Sequence, residues 1–81
     1  MSKEFLEWAG KVRNMDRPDD EDIAYFYSMY KQATVGDCNI DEPDDALGKA
    51  KWVAWNSRKG ITKEKAQELY IKRAKELIQW T

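Results

Sequence analysis

The sequence predicts an all-α fold of four helices. Apolar residues recur at i, i+3, i+4, i+7 in separate stretches, the period of an amphipathic helix. Capping residues, prolines and glycines punctuate those stretches. Strand signals are missing, with no alternating apolar–polar run and no Asn-Gly hairpin.

Ser2 is suited to cap a first helix over roughly 3–14, in which Phe5, Trp8, Ala9 and Val12 share one side. Arg17-Pro18 ends it, because the residue before a proline is pushed out of the α region. Asp19 or Asp20 then caps a second helix, and Asp19, Asp20, Glu21 and Asp22 complement the positive end of its dipole. That helix runs to about Val35, where Gly36 supplies a left-handed stop. Residues 36–47, GDCNIDEPDDAL, read as an irregular acidic loop. A third helix begins near Leu47 or Gly48 and ends at Lys59-Gly60. Thr62 caps a fourth that reaches toward Trp80, with Ala66, Leu69, Tyr70, Ala74, Leu77 and Ile78 at helical spacing.

Composition narrows the function classes. A chain of 81 residues has room for one core, so it reads as a single domain over 1–81. Its 14 basic and 15 acidic side chains leave a net charge of −1, against the basic excess that nucleic-acid binding needs. Any anion site must therefore be a local cluster of cations. Cys38 is the sole cysteine and histidine is absent. That removes an internal disulfide and the usual zinc sites, and it fits a reducing compartment. The start, MSKEFLEW, lacks the layout of a secretory signal, and no apolar run approaches the roughly 18 residues of a membrane span. No strongly basic amphipathic face supports stable membrane attachment. A soluble cytoplasmic monomer is the expectation.

On the second helix Tyr27, Tyr30, Lys31 and Thr34 lie at i, i+3, i+4, i+7, with Ile23 and Phe26 one turn earlier. Two phenols, an ammonium and a hydroxyl make a poor apolar stripe. They read either as amphipathic core residues with a snorkelling lysine, or as a surface for phosphates and an aromatic ring. The third helix carries GKAKWVAW. Lys49 and Lys51 point in different directions, and Trp52 and Trp55 are i, i+3 neighbours that serve either a core or a ligand platform. Tyr70 is a buried phenol with a wet tip or a pocket residue, and Arg13 a solvated cation or part of an anion site. Each signal is weak alone, but a bundle can bring them together.

Catalysis finds little support. Without histidine the commonest general base is missing. Cys38 has no imidazole to activate it and stands among Asp37, Asp41 and Glu42, which disfavour a thiolate. GDCN and LGKAK fit no glycine-rich phosphate loop.

YSMYKQATVGDCN (27–39) and GKAKWVAWNSRKG (48–60), followed by ITKEKAQELYIKRAKEL (61–77), give a pattern that resembles the acyl-CoA-binding protein family, also called diazepam-binding inhibitor. The resemblance spans nearly the whole chain with the spacing kept. It implies an up-down-down-up four-helix bundle that binds medium- to long-chain acyl-CoA esters without metal or cofactor. Carried over, Tyr27, Lys31 and Lys51 contact the CoA head, above all its ribose 3′-phosphate. Tyr30 and Tyr70 match the remaining tyrosines of the nucleotide pocket, and Arg13 falls where the family commonly has a lysine facing the phosphates. Ile23 matches an apolar position on the acyl path, and Ala9 a small position near the ligand. The resemblance also implies transient contact with membranes or acyl-CoA-using enzymes.

Two departures stand out. NIDEPDDALGKAKW is about two residues shorter than the family's loop, and Glu42-Pro43-Asp44 replaces its Arg-Pro-Gly. Trp8 is larger than the small residue usual there, and is expected to narrow the acyl groove. The competing reading is a helical protein-interaction module that has lost ligand binding, with the acidic loop as its contact surface.

Overall fold

The computed structural model of the protein describes residues 2–16 and 18–78. Arg17 and Trp80, placed by the sequence at the end of the first helix and near the end of the last, lie outside the described residues. Four α-helices form: α1 (Lys3–Arg13), α2 (Asp20–Thr34), α3 (Ala46–Asn56) and α4 (Lys63–Ile78), with no strand among the described residues.

Each helix starts where a side chain can take up an otherwise unpaired backbone N–H. The Ser2 hydroxyl accepts from the Phe5 N–H at 3.1 Å, opening α1. Asp19, rather than Asp20, opens α2, accepting from Asp22 N–H at 2.7 Å. The Thr62 hydroxyl accepts from Lys65 N–H at 3.1 Å at the head of α4.

The boundaries of α3 differ from the sequence expectation at both ends. It begins at Ala46 because Asp45 is its cap, accepting from Gly48 N–H at 2.8 Å. The acidic pair Asp44-Asp45 looks like loop until that bond is seen. At the other end, residues 57–60 wind into turns. Arg58 and Lys59 N–H groups reach back three residues, to Trp55 and Asn56 carbonyls, and so leave the α ladder. Gly36 after α2 and Gly60 after these turns have φ of +104° and +94°, a region open to glycine at little cost.

Packing centres on α2, which lies against both α3 and α4, while α1 packs on α4. The buried core joins Phe5, Trp8 and Ala9 of α1 to Phe26, Met29 and Ala33 of α2 and to Ala66, Tyr70 and Ala74 of α4. The α4 alanines let the neighbouring helices approach closely, and the aromatic rings fill what remains. α3 is held to α2 by different means. Trp55 is buried, with its indole N–H on the Gly36 carbonyl at 2.8 Å. The Arg58 Nε–H donates to the buried Ser28 hydroxyl at 3.1 Å while its guanidinium stands 5.1 Å over the Tyr25 ring.

The loop between α2 and α3 is tied down although it is irregular. Asp37 accepts from the Gly60 N–H at 2.9 Å and from the Gln32 amide at 2.8 Å, and that amide also donates to the Ile61 carbonyl. One carboxylate thus joins the turn after α2 to the turn before α4. The Gly60 N–H above all, then the Gln32 amide and the nearby Lys59 charge, hold the Asp37 carboxyl below its usual 3.8. Its bonds are therefore intact above that value and are lost as pH falls through the lower, folded value. Melting temperature followed through acid pH should drop less steeply below that point for Asp37→Asn than for the parent. Superimposable acid limbs would remove Asp37 as a source of the pH dependence.

Candidate functional site

Helices α1, α2 and α4 enclose an open cavity of about 320 Å³, lined by Ala9, Val12, Arg13, Phe26, Tyr27, Tyr30 and Tyr70. Its floor is the core itself. Tyr70 is 4% exposed, with Phe5 and Phe26 edge-on to its ring at 5.1 and 5.0 Å and Tyr30 at 6.4 Å. Burial pushes the Tyr70 phenol up to about 12, against the opposing pull of the Arg13 charge. It is therefore a neutral hydroxyl at any physiological pH. Arg13 is exposed at the rim.

Beside this cavity the two lysines of the motif stand on rings of each other's helix. The Lys31 ammonium, from α2, lies 4.9 Å from the centre of the Trp55 ring of α3. The Lys51 ammonium, from α3, lies 5.3 Å from the centre of the Tyr27 ring of α2. Among the described residues no carboxylate lies within 4 Å of Lys31, Lys51 or Arg13, although five other pairings of cation and carboxylate form on the surface. The carboxylate nearest in the site's own linings is Asp20, which shares a neighbouring cavity with Lys51 without an ion pair within 4 Å. An anion reaching these three cations displaces no existing ion pair.

A second cavity of about 260 Å³ lies on the other side of Lys51, lined by Asp20, Ile23 and Ala24 of α2 and by Leu47, Ala50 and Lys51 of α3. Ile23 and Leu47 are 44% and 68% exposed, and they face one cavity together. The two cavities meet at the Tyr27–Lys51 pair, since Tyr27 lines the first and Lys51 the second. A ring-lined space thus adjoins a second one framed by Ile23, Ala24, Leu47 and Ala50, with Lys51 at the junction and Arg13 at the rim of the first.

The structure brings Arg13, Tyr27, Tyr30, Tyr70 and Ala9 to one cavity and Ile23 and Lys51 to the next, with Lys31 between α2 and α3. Thr34 does not offer its hydroxyl to this surface, because the hydroxyl donates to the Tyr30 carbonyl at 2.8 Å within the helix. Trp8 differs from the expectation more sharply. It lines neither cavity; it is 6% exposed in the core, with the Lys11 and Lys75 ammonium groups 4.2 and 5.9 Å from its ring. Its bulk fills the seam between α1 and α4. Leu47 and Ala50 are cavity residues that the sequence reading does not single out. Their spacing with Lys51, i, i+3 and i+4, is the signal that places all three on one side of α3.

Comparison with known proteins follows the same lines. The model of the family described as "Acyl CoA binding protein" matches residues 2–74. A Hypsibius protein named for acyl-CoA binding is 46% identical over 82 residues, covering 98% of this chain and 92% of its own. The crystal structure of Oryza sativa Acyl-CoA-Binding Protein 2 superposes with a TM-score of 0.90 at 36% identity, over 96% of this chain and 90% of that one. That of the acyl-CoA-binding protein from Moniliophthora perniciosa superposes with a TM-score of 0.91 at 39% identity, over 99% and 83%.

Two measurements check the geometry. In an alkaline titration followed by near-ultraviolet absorbance, Tyr70 should ionise near 12, and Tyr70→Phe should abolish that last step. Because the folded value lies above the unfolded 10, the contribution of Tyr70 to stability is complete below pH 10 and lost toward 12. Trp8→Ala should cost about 3–5 kcal/mol of unfolding free energy in urea. A stability equal to the parent would remove Trp8 from the core.

Proposed function

The chain belongs to the acyl-CoA-binding protein family, and on that footing we propose that it binds medium- to long-chain acyl-CoA esters as a monomeric cytoplasmic carrier. The reading is non-catalytic and requires no metal or cofactor. In it, Lys31, Lys51 and Arg13 take the phosphates of the CoA head, with Tyr27, Tyr30 and Tyr70 beside the nucleotide. The acyl chain follows the apolar side past Ile23, Leu47 and Ala50. Ala9, at the back of the ring-lined cavity, leaves room where a larger side chain would fill it. Contacts with membranes or acyl-CoA-using enzymes are transient in this reading.

The observation that carries it is the set of cations with no carboxylate within 4 Å among the described residues: Lys51 where a tyrosine-lined cavity meets an apolar one, Arg13 at the rim of the first, and Lys31 between α2 and α3. An amphiphile with phosphates at one end and a hydrocarbon at the other matches that order. A charge-assisted hydrogen bond contributes about 1.5–3 kcal/mol, so two or three give about 3–9 kcal/mol. A buried methylene contributes about 0.8 kcal/mol, so ~14 of them reach about 11 kcal/mol if wholly enclosed. The apolar cavity is open, which keeps the tail below that ceiling. Binding also sets several kcal/mol of lost freedom against both. Head and tail are then comparable: the head selects CoA esters as a class, and the tail makes affinity rise with chain length.

Calorimetry with palmitoyl-CoA is the test. Lys31→Ala and Lys51→Ala should each weaken binding about 10-fold or more with little change in melting temperature. The dephospho ester, lacking the 3′-phosphate, should bind the parent correspondingly worse. No heat of binding from the parent would favour the interaction-module reading. Full affinity in both lysine variants would move the head site elsewhere.

A further inference from the structure

The reciprocal seating of the two lysines separates residues that meet a ligand from one that arranges them. Tyr27, under Lys51, lines the first cavity and so belongs to the binding surface. Trp55, under Lys31, is 2% exposed and lines neither cavity. Its ring can act on a ligand only through the ammonium above it.

We infer that Trp55 is a positioning residue for phosphate recognition, holding the Lys31 ammonium over its ring face in readiness for the ligand. The inference rests on the acyl-CoA reading above and adds a residue to it. Two hydrogen bonds and one cation–π contact fix the arrangement. The Trp55 indole N–H donates to the Gly36 carbonyl at 2.8 Å, which sets the tilt of the ring. The Gly36 N–H in turn donates to the Lys31 carbonyl at 3.2 Å. Ring and lysine backbone are thus joined through one glycine, whose φ of +104° turns its N–H and carbonyl to serve both. The ammonium closes the circuit at 4.9 Å from the ring centre.

A lysine side chain free in water loses most of its rotamer freedom when it grips a phosphate. One already resting on an aromatic face has lost much of it before the ligand arrives, and binding improves accordingly. The ring takes one side of the ammonium and leaves N–H groups for an anion on the other. No carboxylate among the described residues competes for it within 4 Å.

Fluorinated tryptophan at position 55 tests this with the indole shape and N–H kept. Fluorine draws charge from the ring face in proportion to its number, so a mono- to tetrafluoro series grades the cation–π attraction. Each protein is checked for a parental melting transition and titrated with palmitoyl-CoA. Affinity should fall stepwise along the series, reaching about 3- to 30-fold at tetrafluoro. Repeated in Lys31→Gln, the same series should leave the remaining affinity unchanged, because the partner of the ring is gone. Equal losses with and without Lys31 would make Trp55 a packing residue only, and a flat series on the parent would overturn the inference directly. Either result leaves acyl-CoA binding standing; only a parent that fails to bind palmitoyl-CoA removes both.

Discussion

Everything in this molecule leans on the packing of Tyr70 against Phe5, Phe26 and Tyr30. That aromatic group is where α1, α2 and α4 converge, and it is also the floor of the ring-lined cavity. A chain of 81 residues has little interior to divide between separate structural and binding parts. One cluster therefore does both, apolar bodies inward and phenol edges toward the opening. Burial of Tyr70 moves its ionisation still further above physiological pH, so the cavity wall holds a neutral phenol.

The α2–α3 contact is of a different kind. It carries a set of directional interactions: Trp55 to Gly36, Arg58 to Ser28 and over Tyr25, Lys31 over Trp55, Lys51 over Tyr27. Such contacts fix orientation more strongly than they add stability. That contact carries Lys31 and Lys51, the two lysines of the proposed head site. Asp37 completes it by anchoring the turn at Gly60, so that the end of α2 and the start of α4 bracket α3.

Much of this is legible in the residues because it is local. Ser2, Asp19, Thr62, Gly36 and Gly60 mark helix ends through bonds or dihedral angles that involve only near neighbours in sequence. The start of α3 lies one or two residues earlier than the sequence suggests, because Asp45 sits in an acidic run whose members look alike until one of them caps. The site is legible only in pieces. Tyr27, Lys31 and Lys51 can be named from motif spacing, yet that each lysine rests on the opposite helix is a fact of helix crossing. Trp8 escapes the sequence for the same reason: periodicity puts it on the inner side of α1 without saying whether that side faces α4 or the cavity. Leu47 escapes it because exposure, not sequence, makes that residue notable.

The loop at 36–45 is fastened from α3 by two indoles, Trp55 to the Gly36 carbonyl and Trp52 to the Ile40 carbonyl, each at 2.8 Å. Both acceptors are backbone oxygens, which every amino acid supplies. The tether at Ile40 is thus indifferent to the side chain there, and between it and the Asp45 cap only Glu42 reaches back to α3, by an ion pair to Lys49 at 3.2 Å. Replacement of an Arg-Pro-Gly by Glu42-Pro43-Asp44, and the loss of about two residues, are changes such a mooring absorbs. Side chains can change along this loop while Trp52 and Trp55 keep their hold on its backbone.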